Sequence, residues 1–175
     1  MLQRIRVIAD FQFGRGAGFG LFPDNCEFIL SRTGRVQQVM WNGTRLATLR
    51  ASDGRLTLGM GGAIRLRNAL PPPAYRVCIL PDVAEFILQG KNAFCKHVIA
   101  ADPQIRSGDE VLVVTGDDDL LATGMALLSG REMLVFNYGG AVKVRQGRSA
   151  YDAGKYQPQE NETDDEAAGD AGRTD

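Results

Sequence analysis

Cys95 and His97 are the two side chains of this 175-residue sequence that could most directly carry out catalysis or bind a metal. His97 is the single histidine, and two positions apart on a strand both side chains point to the same face. A thiol beside an imidazole can act as a nucleophile with its base, or can supply two metal ligands. Both uses need a third side chain, an acid or a further metal ligand, and the sequence around the pair offers none. A packed or solvent-facing pair is therefore favoured, and we expect no catalytic residue, no metal and no cofactor.

Two further motifs suggest chemistry but are better explained as turns. The three aspartates at 117–119 lie between two predicted strands, where aspartates are common in solvated turns. The segment 14–20, GRGAGFG, has the glycine content of a phosphate loop but lacks the GK[ST] ending and a clear strand and helix on its two sides. We predict a turn here that lets Phe19 and Phe22 reach the core.

Arginines dominate residues 32–67, which hold seven of them against one acidic residue, Asp53. A guanidinium group binds phosphate through two parallel hydrogen bonds and keeps its charge at any cellular pH. A cluster of such groups on one sheet is what binding of an RNA backbone requires. The arginines that we predict to contact RNA are Arg35, Arg45, Arg50 and Arg55.

The net charge of −1 hides an uneven distribution of charge along the chain. Residues 151–175 hold two basic and eight acidic residues; subtracting these from the chain's 20 and 21 leaves 18 and 13, a net charge of +5 on the first 150 residues. A basic body followed by an acidic tail fits a surface that binds a polyanion. A role of the tail in solubility explains its acidity equally well.

A β-hairpin supports most of the arginines. The segments VQQVMW and TRLATL are joined by Asn42 and Gly43, a pair typical of a type I′ turn because both central residues need a positive φ. A two-residue loop fixes the register and places Arg35 opposite Arg50. Like charges in that position repel each other, so the two guanidinium groups either extend into water or share an anion.

The second half of the chain is predicted to alternate short strands and short helices. Residues 76–80 form an apolar strand that ends at a proline, after which Asp82 can cap a helix. Gly90 follows at the C-cap, where a left-handed conformation costs a glycine little. A strand at 94–99 comes next, and further strands lie within 108–147.

Three prolines at 71–73 divide the chain, because a proline run has fixed φ angles and no amide hydrogens and acts as a stiff linker. We predict an α+β protein with an N-terminal domain at 1–70, a linker at 71–74 and a second domain at 75–148. The acidic residues 149–175 are poor in aromatic and branched side chains and are predicted to be disordered.

Cysteine usage and hydropathy predict a cytoplasmic protein without a membrane segment. No apolar run reaches the roughly 20 residues that span a bilayer, and the first ten residues have no long apolar signal core. Cys26, Cys78 and Cys95 are odd in number and far apart, which indicates reduced thiols.

The order of motifs in both halves is similar to that of a known family. The helix-to-glycine turn, the GDEV strand and the final AVKVR strand make residues 75–148 resemble a PUA domain, an RNA-binding module of tRNA- and rRNA-modifying enzymes. The segments ADFQFGRGAG, TGRVQQV, LATLRASDGRLTL and GGAIRL resemble the region before that domain in archaeal archaeosine tRNA-guanine transglycosylases and archaeosine synthase. The resemblance implies a small N-terminal sheet domain followed by a β half-barrel with short helices, without the catalytic domain.

The resemblance also implies which residues contact RNA and what the contact serves. By position in the family's motifs, the RNA-binding residues of the second half are Gly90, Lys91, Asn92, Lys96, Lys143 and Arg145. The expected function is binding of tRNA, as an accessory or targeting subunit of archaeosine-type tRNA modification, with a separate modifying enzyme as a possible partner and no DNA. Two alternatives remain: a small stand-alone enzyme with a site around Cys95 and His97, or an RNA-binding factor of translation or the ribosome.

Overall fold

Two β-sheets and the short helices packed on them form the part of the chain that the computed structural model describes, residues 1–154. The first sheet is antiparallel throughout, with its four strands in chain order. These strands are β1 (Glu27–Leu30), β2 (Val36–Trp41), β3 (Thr44–Leu49) and β4 (Leu56–Leu58). Three helices share its core: α1 (Leu2–Phe13), α2 (Ala17–Leu21) and α3 (Met60–Ala69).

The second sheet has six strands in the order β6-β10-β9-β8-β5-β7, with β5 and β8 parallel and the other neighbours antiparallel. The strands are β5 (Arg76–Ile79), β6 (Ala93–Phe94), β7 (Val98–Ala101), β8 (Glu110–Val114), β9 (Leu120–Ala126) and β10 (Gly140–Gly147). The helices are α4 (Ala84–Leu88), α5 (Gly130–Val135) and α6 (Arg148–Asp152). Mixed helix and strand with this order of sheets confirms the predicted α+β class.

The turn of the first hairpin forms as predicted, but its register does not continue as predicted. Asn42 and Gly43 have φ angles of 48° and 73°, as a type I′ turn requires. Beyond the turn an extra residue in β3 shifts the pairing, so that Val39 lies opposite Ala47. Such a bulge changes which residues face each other across the strands. The predicted cross-strand pair of Arg35 and Arg50 is therefore wrong.

The predicted strand 94–99 is broken by a corner. Residues 93–94 pair with β10, whereas 98–101 pair with β5, and these partners lie apart in the sheet. The chain has to cross between them, and the three residues Cys95–His97 make the crossing as a 3₁₀ turn. Because this turn is not extended, Cys95 and His97 do not point to one face of a strand, contrary to the prediction.

The helix before that corner also begins differently from the prediction. Residues Pro81–Val83 form a 3₁₀ turn, and Val83 is the N-cap of α4, without a side-chain capping bond. Asp82 therefore does not cap the helix. Within the helix, Ile87 is buried, whereas Phe86 is exposed over 58% of its surface.

The two halves share a hydrophobic core. Leu112, Val114 and Leu120 belong to the second sheet but are buried in the same cluster as the helices and strands of the first half. A separate cluster fills the inside of the second sheet, around residues such as Val113 and Met133. The proline segment joins the halves without separating their packing, and the predicted domain boundary there remains a prediction.

The first residues of the segment predicted to be disordered are helical. Residues 148–152 form α6, and Tyr151 packs against the core of the first half. Tyr151 is one of the few aromatic residues beyond 148, and its burial explains why this turn is ordered. The rest of the predicted disordered tail, 155–175, lies outside the described residues. Among the helices of residues 1–154, none has the length and apolarity needed to cross a membrane.

Candidate nucleic-acid interface

The Cys95–His97 corner does not assemble a catalytic site. Cys95 is 3% exposed, and burial raises the pKa of its thiol, which disfavours the nucleophilic thiolate. The imidazole of His97 packs edge-on against the ring of Phe94, with 6.4 Å between the ring centroids. In residues 1–154, no three His, Cys, Asp or Glu side chains are grouped so that they could hold a metal.

In the glycine-rich segment, the backbone amides that could bind a phosphate already bond to a carboxylate of the protein. Asp10 Oδ1 accepts hydrogen bonds from the backbone amides of Gly16 and Gly18, at 3.1 and 2.7 Å. A phosphate would need those same amides. A Cβ on Gly18 would lie 2.4 Å from the carbonyl oxygen of Arg6, so the glycine permits close packing of α2 on α1. Phe22 is buried as expected, but Phe19 is 64% exposed and lies under the guanidinium of Arg6.

The aspartate turn at 117–119 connects the two halves. Arg76, 4% exposed, donates from Nε to Asp118 Oδ1 at 2.7 Å. Arg67 of α3 donates from Nε to the carbonyl oxygen of Asp118 at 2.6 Å. The middle carboxylate of the three is thus committed to arginines, which agrees with the predicted turn and leaves no cation site there.

The turn after α4 is held directly against the last strand. Gly90 has a φ of 91°, as predicted, and the side chain of Asn92 accepts a hydrogen bond from the amide of Val144 at 3.0 Å. A Cβ on Gly147 would lie 2.5 Å from the amide nitrogen of Gly90. Sequence reasoning missed Gly147, although a glycine within a strand often marks a close backbone approach. Lys91 extends from this turn and is exposed.

Lys143 and Arg145 on β10 have different surroundings. Lys143 is exposed and has no side-chain partner within residues 1–154. Arg145 occupies a bulge between Val144 and Gln146, so the alternation of side chains between the two faces of the strand is interrupted there. Its guanidinium forms an ion pair with the buried carboxylate of Glu110. Of the two predicted contacts, Lys143 is the one that is free to bind a ligand.

Strand β6 places the turn next to β10. Ala93 pairs with Val142, and the hydrogen bond from Val144 to Asn92 continues that contact. The exposed side chains of Lys91 and Lys143 therefore extend from adjoining segments, which we call the turn–strand face, residues 90–92 and 143. Lys96, also exposed, follows β6 in the 3₁₀ turn.

Exposed aromatic rings lie close to this face in the fold, and sequence reasoning missed them. Phe94 is 46% exposed on β6, and Tyr138 is 81% exposed just before β10. The ring of Tyr138 stacks on Phe136, with 6.4 Å between centroids. Phe136 itself is 40% exposed. Aromatic faces beside basic groups can stack with unpaired bases.

Most arginines of residues 32–67 have partners within the protein. Arg50 forms an ion pair with Asp53, and Arg55 forms one with Asp109 at 2.9 Å. Arg65 donates to the carbonyl oxygen of Leu21 and lies over the ring of Trp41. Burial lowers the pKa of the half-buried Arg45 guanidinium. Of the four arginines predicted to contact RNA, Arg35 is exposed and has no side-chain partner among the described residues.

Two family models match adjacent parts of the chain. The patch-forming domain C2 of tRNA-guanine transglycosylase matches residues 3–73. The PUA domain matches residues 75–148. These matches confirm the resemblance that was predicted from the motifs of the two halves.

Archaeal tRNA-guanine(15) transglycosylases are similar to the chain over the same region. The enzyme of Pyrococcus abyssi is 51% identical over 148 residues, which are 85% of this chain and 25% of the enzyme. The enzyme of Pyrococcus furiosus is 53% identical over 143 residues, 82% of this chain and 24% of the enzyme. The chain thus spans about a quarter of the length of these relatives.

Solved structures share the fold at lower sequence identity. A hypothetical protein from Pyrococcus horikoshii has a TM-score of 0.64 and 24% identity, covering 83% of this chain and 89% of that one. A conserved PUA domain protein from Thermoplasma acidophilum has a TM-score of 0.55 and 18% identity, covering 81% and 89%. Both cover the two halves of the chain and confirm the overall architecture.

Proposed function

Because the chain belongs to the family that joins the C2 domain of tRNA-guanine transglycosylases to a PUA domain, we propose that it is an RNA-binding protein that binds tRNA. It serves tRNA modification of the archaeosine type, as an accessory or targeting subunit. The observation that carries the proposal is the turn–strand face, where a turn and the strand that it contacts each carry an exposed lysine with no side-chain partner within residues 1–154.

The turn–strand face suits a nucleic-acid backbone. Lys91 and Lys143 are exposed and have no acidic partner within residues 1–154. Lysines of this kind neutralise phosphates and release counterions, which makes binding dependent on salt. The backbone contact between Gly90 and Gly147 keeps the turn on the strand. Gly90, Asn92, Lys96 and Arg145 shape or flank the face and are proposed to contact the RNA with it.

The proposal assigns the chemical step to another protein. The tRNA-guanine(15) transglycosylases that the chain resembles are about four times longer than the matched region. The matched region holds no assembled nucleophile or metal site among residues 1–154. The similarity to tRNA-guanine(15) transglycosylases supports a separate tRNA-modifying enzyme in the cytoplasm as the proposed partner, and RNA, with no DNA, as the proposed ligand.

Binding of a tRNA transcript across a salt series tests the proposal. The double variant Lys91→Gln/Lys143→Gln should bind roughly thirtyfold more weakly than the parent, because each of the two charged contacts contributes about 1 kcal/mol. The slope of log affinity against log salt should become shallower by about one for each phosphate that the variant no longer neutralises.

Arg15→Gln/Arg106→Gln is the matched control. Both arginines are exposed, have no side-chain partner among the described residues and lie outside the turn–strand face, so the variant loses the same net charge. Equal weakening in the two double variants would mean that net charge alone attracts the RNA. If the parent protein does not bind tRNA at all, the proposed function is wrong.

A further inference from the structure

A cleft of about 450 Å³ opens in the first half, away from the turn–strand face. Three elements form it: the start of α1, the turn between β1 and β2, and the end of β3 with the residues after it. Each contributes one arginine, Arg4, Arg35 and Arg50 respectively. Apolar side chains such as Ile5 and Leu49 line the rest of its wall. We call this site the arginine cleft.

Within residues 1–154, two of the three arginines of the arginine cleft have no acidic partner. None of its lining residues is acidic. Arg50 has one acidic partner, Asp53, which stands outside the lining. Arg4 and Arg35 have no side-chain partner within residues 1–154 and are exposed. By contrast, the arginines elsewhere in this half that point inward, such as Arg55 and Arg65, are bonded to protein groups.

The fold fixes the backbone at Arg4 and Arg35, and a carboxylate holds the side chain of Arg50. Arg4 directly precedes Ile5, which is 1% exposed and anchors that turn of α1 in the core. Arg35 follows Gly34, whose φ of 75° makes the tight turn before β2. Asp53 receives a hydrogen bond from Arg50 Nε at 3.1 Å, which keeps Arg50 at the edge of the cleft.

We infer that the arginine cleft is an oxyanion site that takes a phosphate group, supplied by the backbone of the bound RNA. Arg4 and Arg35 lie at one opening without an acidic partner within residues 1–154, and an anion between them relieves the repulsion of like charges. Arginine binds a phosphate through two parallel hydrogen bonds. This inference rests on the proposed function, because it names a second surface of the same RNA-binding protein.

Two sources could supply the phosphate group: a phosphodiester of RNA, or free inorganic phosphate. An open cleft at the surface, on three solvent-accessible elements, fits a phosphodiester that continues beyond it on both sides. Free phosphate would bind in isolation and would raise the melting temperature of the protein without any RNA. The two sources are thus distinguished by different measurements on the same variants.

The test uses the full chain and the double variant Arg4→Gln/Arg35→Gln. We expect roughly tenfold weaker binding of a tRNA transcript, with a salt slope shallower by about one to two. The control Arg15→Gln/Arg106→Gln removes the same charge elsewhere and should change affinity much less. Arg35→Lys keeps the charge but removes the forked geometry, so it should weaken binding while leaving the salt slope nearly unchanged.

The outcomes separate the arginine cleft from the proposed function. If Arg4→Gln/Arg35→Gln binds tRNA like the control while Lys91→Gln/Lys143→Gln does not, the cleft inference is wrong and the proposed function stands. If the parent fails to bind tRNA, yet inorganic phosphate raises its melting temperature and not that of Arg4→Gln/Arg35→Gln, the RNA assignment fails and the oxyanion site stands. Loss of tRNA binding in both double variants supports both surfaces.

Discussion

At the scale of single residues, Glu110 is a buried carboxylate that bonds to both halves of the chain. It is 4% exposed, accepts a hydrogen bond from the amide of Leu58 at 3.0 Å and pairs with Arg145. Burial raises the pKa of Glu110, and Arg145 offsets part of that increase. The folded state therefore holds this proton more tightly than the unfolded chain does.

We predict that the contribution of Glu110 to the free energy of unfolding falls as the pH rises. Because its folded pKa is raised, Glu110 favours the folded state most below its ordinary pKa, and that contribution is lost as the pH rises through the folded value. Relative to Glu110→Gln, the parent should lose free energy of unfolding between acidic and neutral pH. Urea unfolding of both proteins at several pH values measures this difference.

Glu132 provides a control of opposite sign. Its carboxylate accepts hydrogen bonds from the amide and hydroxyl of Ser129 in the capping box of α5, and these bonds lower its pKa. The parent should therefore gain free energy of unfolding relative to Glu132→Gln as the pH rises from acid. If both variants give pH dependences of the same sign, burial does not control the proton of Glu110.

At the scale of elements, the contact between the turn after α4 and the end of β10 is a tight backbone approach beside the turn–strand face. A Cβ on Gly147 would lie 2.2 Å from the carbonyl oxygen of Leu88 and 2.5 Å from the amide nitrogen of Gly90. Both are backbone atoms, so neither can move without shifting α4 or β10. The contact therefore sets the position of Lys91 relative to Lys143.

We predict that Gly147→Ala destabilises the protein by about 1–3 kcal/mol, the usual cost of forcing extra atoms into a packed site. It should also weaken tRNA binding, because the turn moves off the strand. Gly116→Ala is the matched control, since a Cβ there would meet nothing within 4 Å. Equal stability of the two variants in urea unfolding would show that the contact can relax.

The sequence predicted correctly those turns whose conformation depends on the residue types within the turn itself. The Asn42-Gly43 turn and the left-handed Gly90 follow from residue type alone, and both are present. The bulges in β3 and at Arg145 were missed, because they depend on how strands from distant parts of the chain fit together. The corner at Cys95–His97 was missed for the same reason: its cause is the separation of β10 from β5 in the sheet.

At the scale of the whole molecule, the arginine-rich composition of the first half was interpreted mainly as a ligand surface, and the structure shows another use for it. Arg55 pairs with Asp109, 54 residues away along the chain, and Arg67 contacts Asp118, 51 residues away. A count of local charges cannot find such partners, because they come from the second half. Lys91, Lys143 and Arg35 were identified from sequence and are exposed, but their contact with RNA remains a prediction.

The shared core predicts that both halves unfold together. Leu112 belongs to β8 but is fully buried in the cluster of the first half. Leu112→Ala should cost about 2–5 kcal/mol, as truncations in a packed core do. Trp41, the single tryptophan, lies in β2 and reports on the first half. Its fluorescence transition should shift together with the far-UV circular dichroism of the whole chain.

A shift in circular dichroism without a shift in Trp41 fluorescence would contradict this coupling. Val113→Ala serves as the comparison, since Val113 lies in the other cluster, inside the second sheet. If the halves are coupled, this variant too should move both transitions by the same amount, because unfolding is then a single event.

The shared core also fixes the distance between the two surfaces that are proposed to bind RNA. Because Leu112, Val114 and Leu120 are packed among the side chains of the first half, the spacing between the turn–strand face and the arginine cleft cannot adjust to a ligand. A stiff folded RNA whose phosphates already stand at that spacing binds both surfaces without further loss of entropy, whereas a flexible strand has to be ordered first. Discrimination by shape would thus come from the interior of the protein, at residues that no ligand touches.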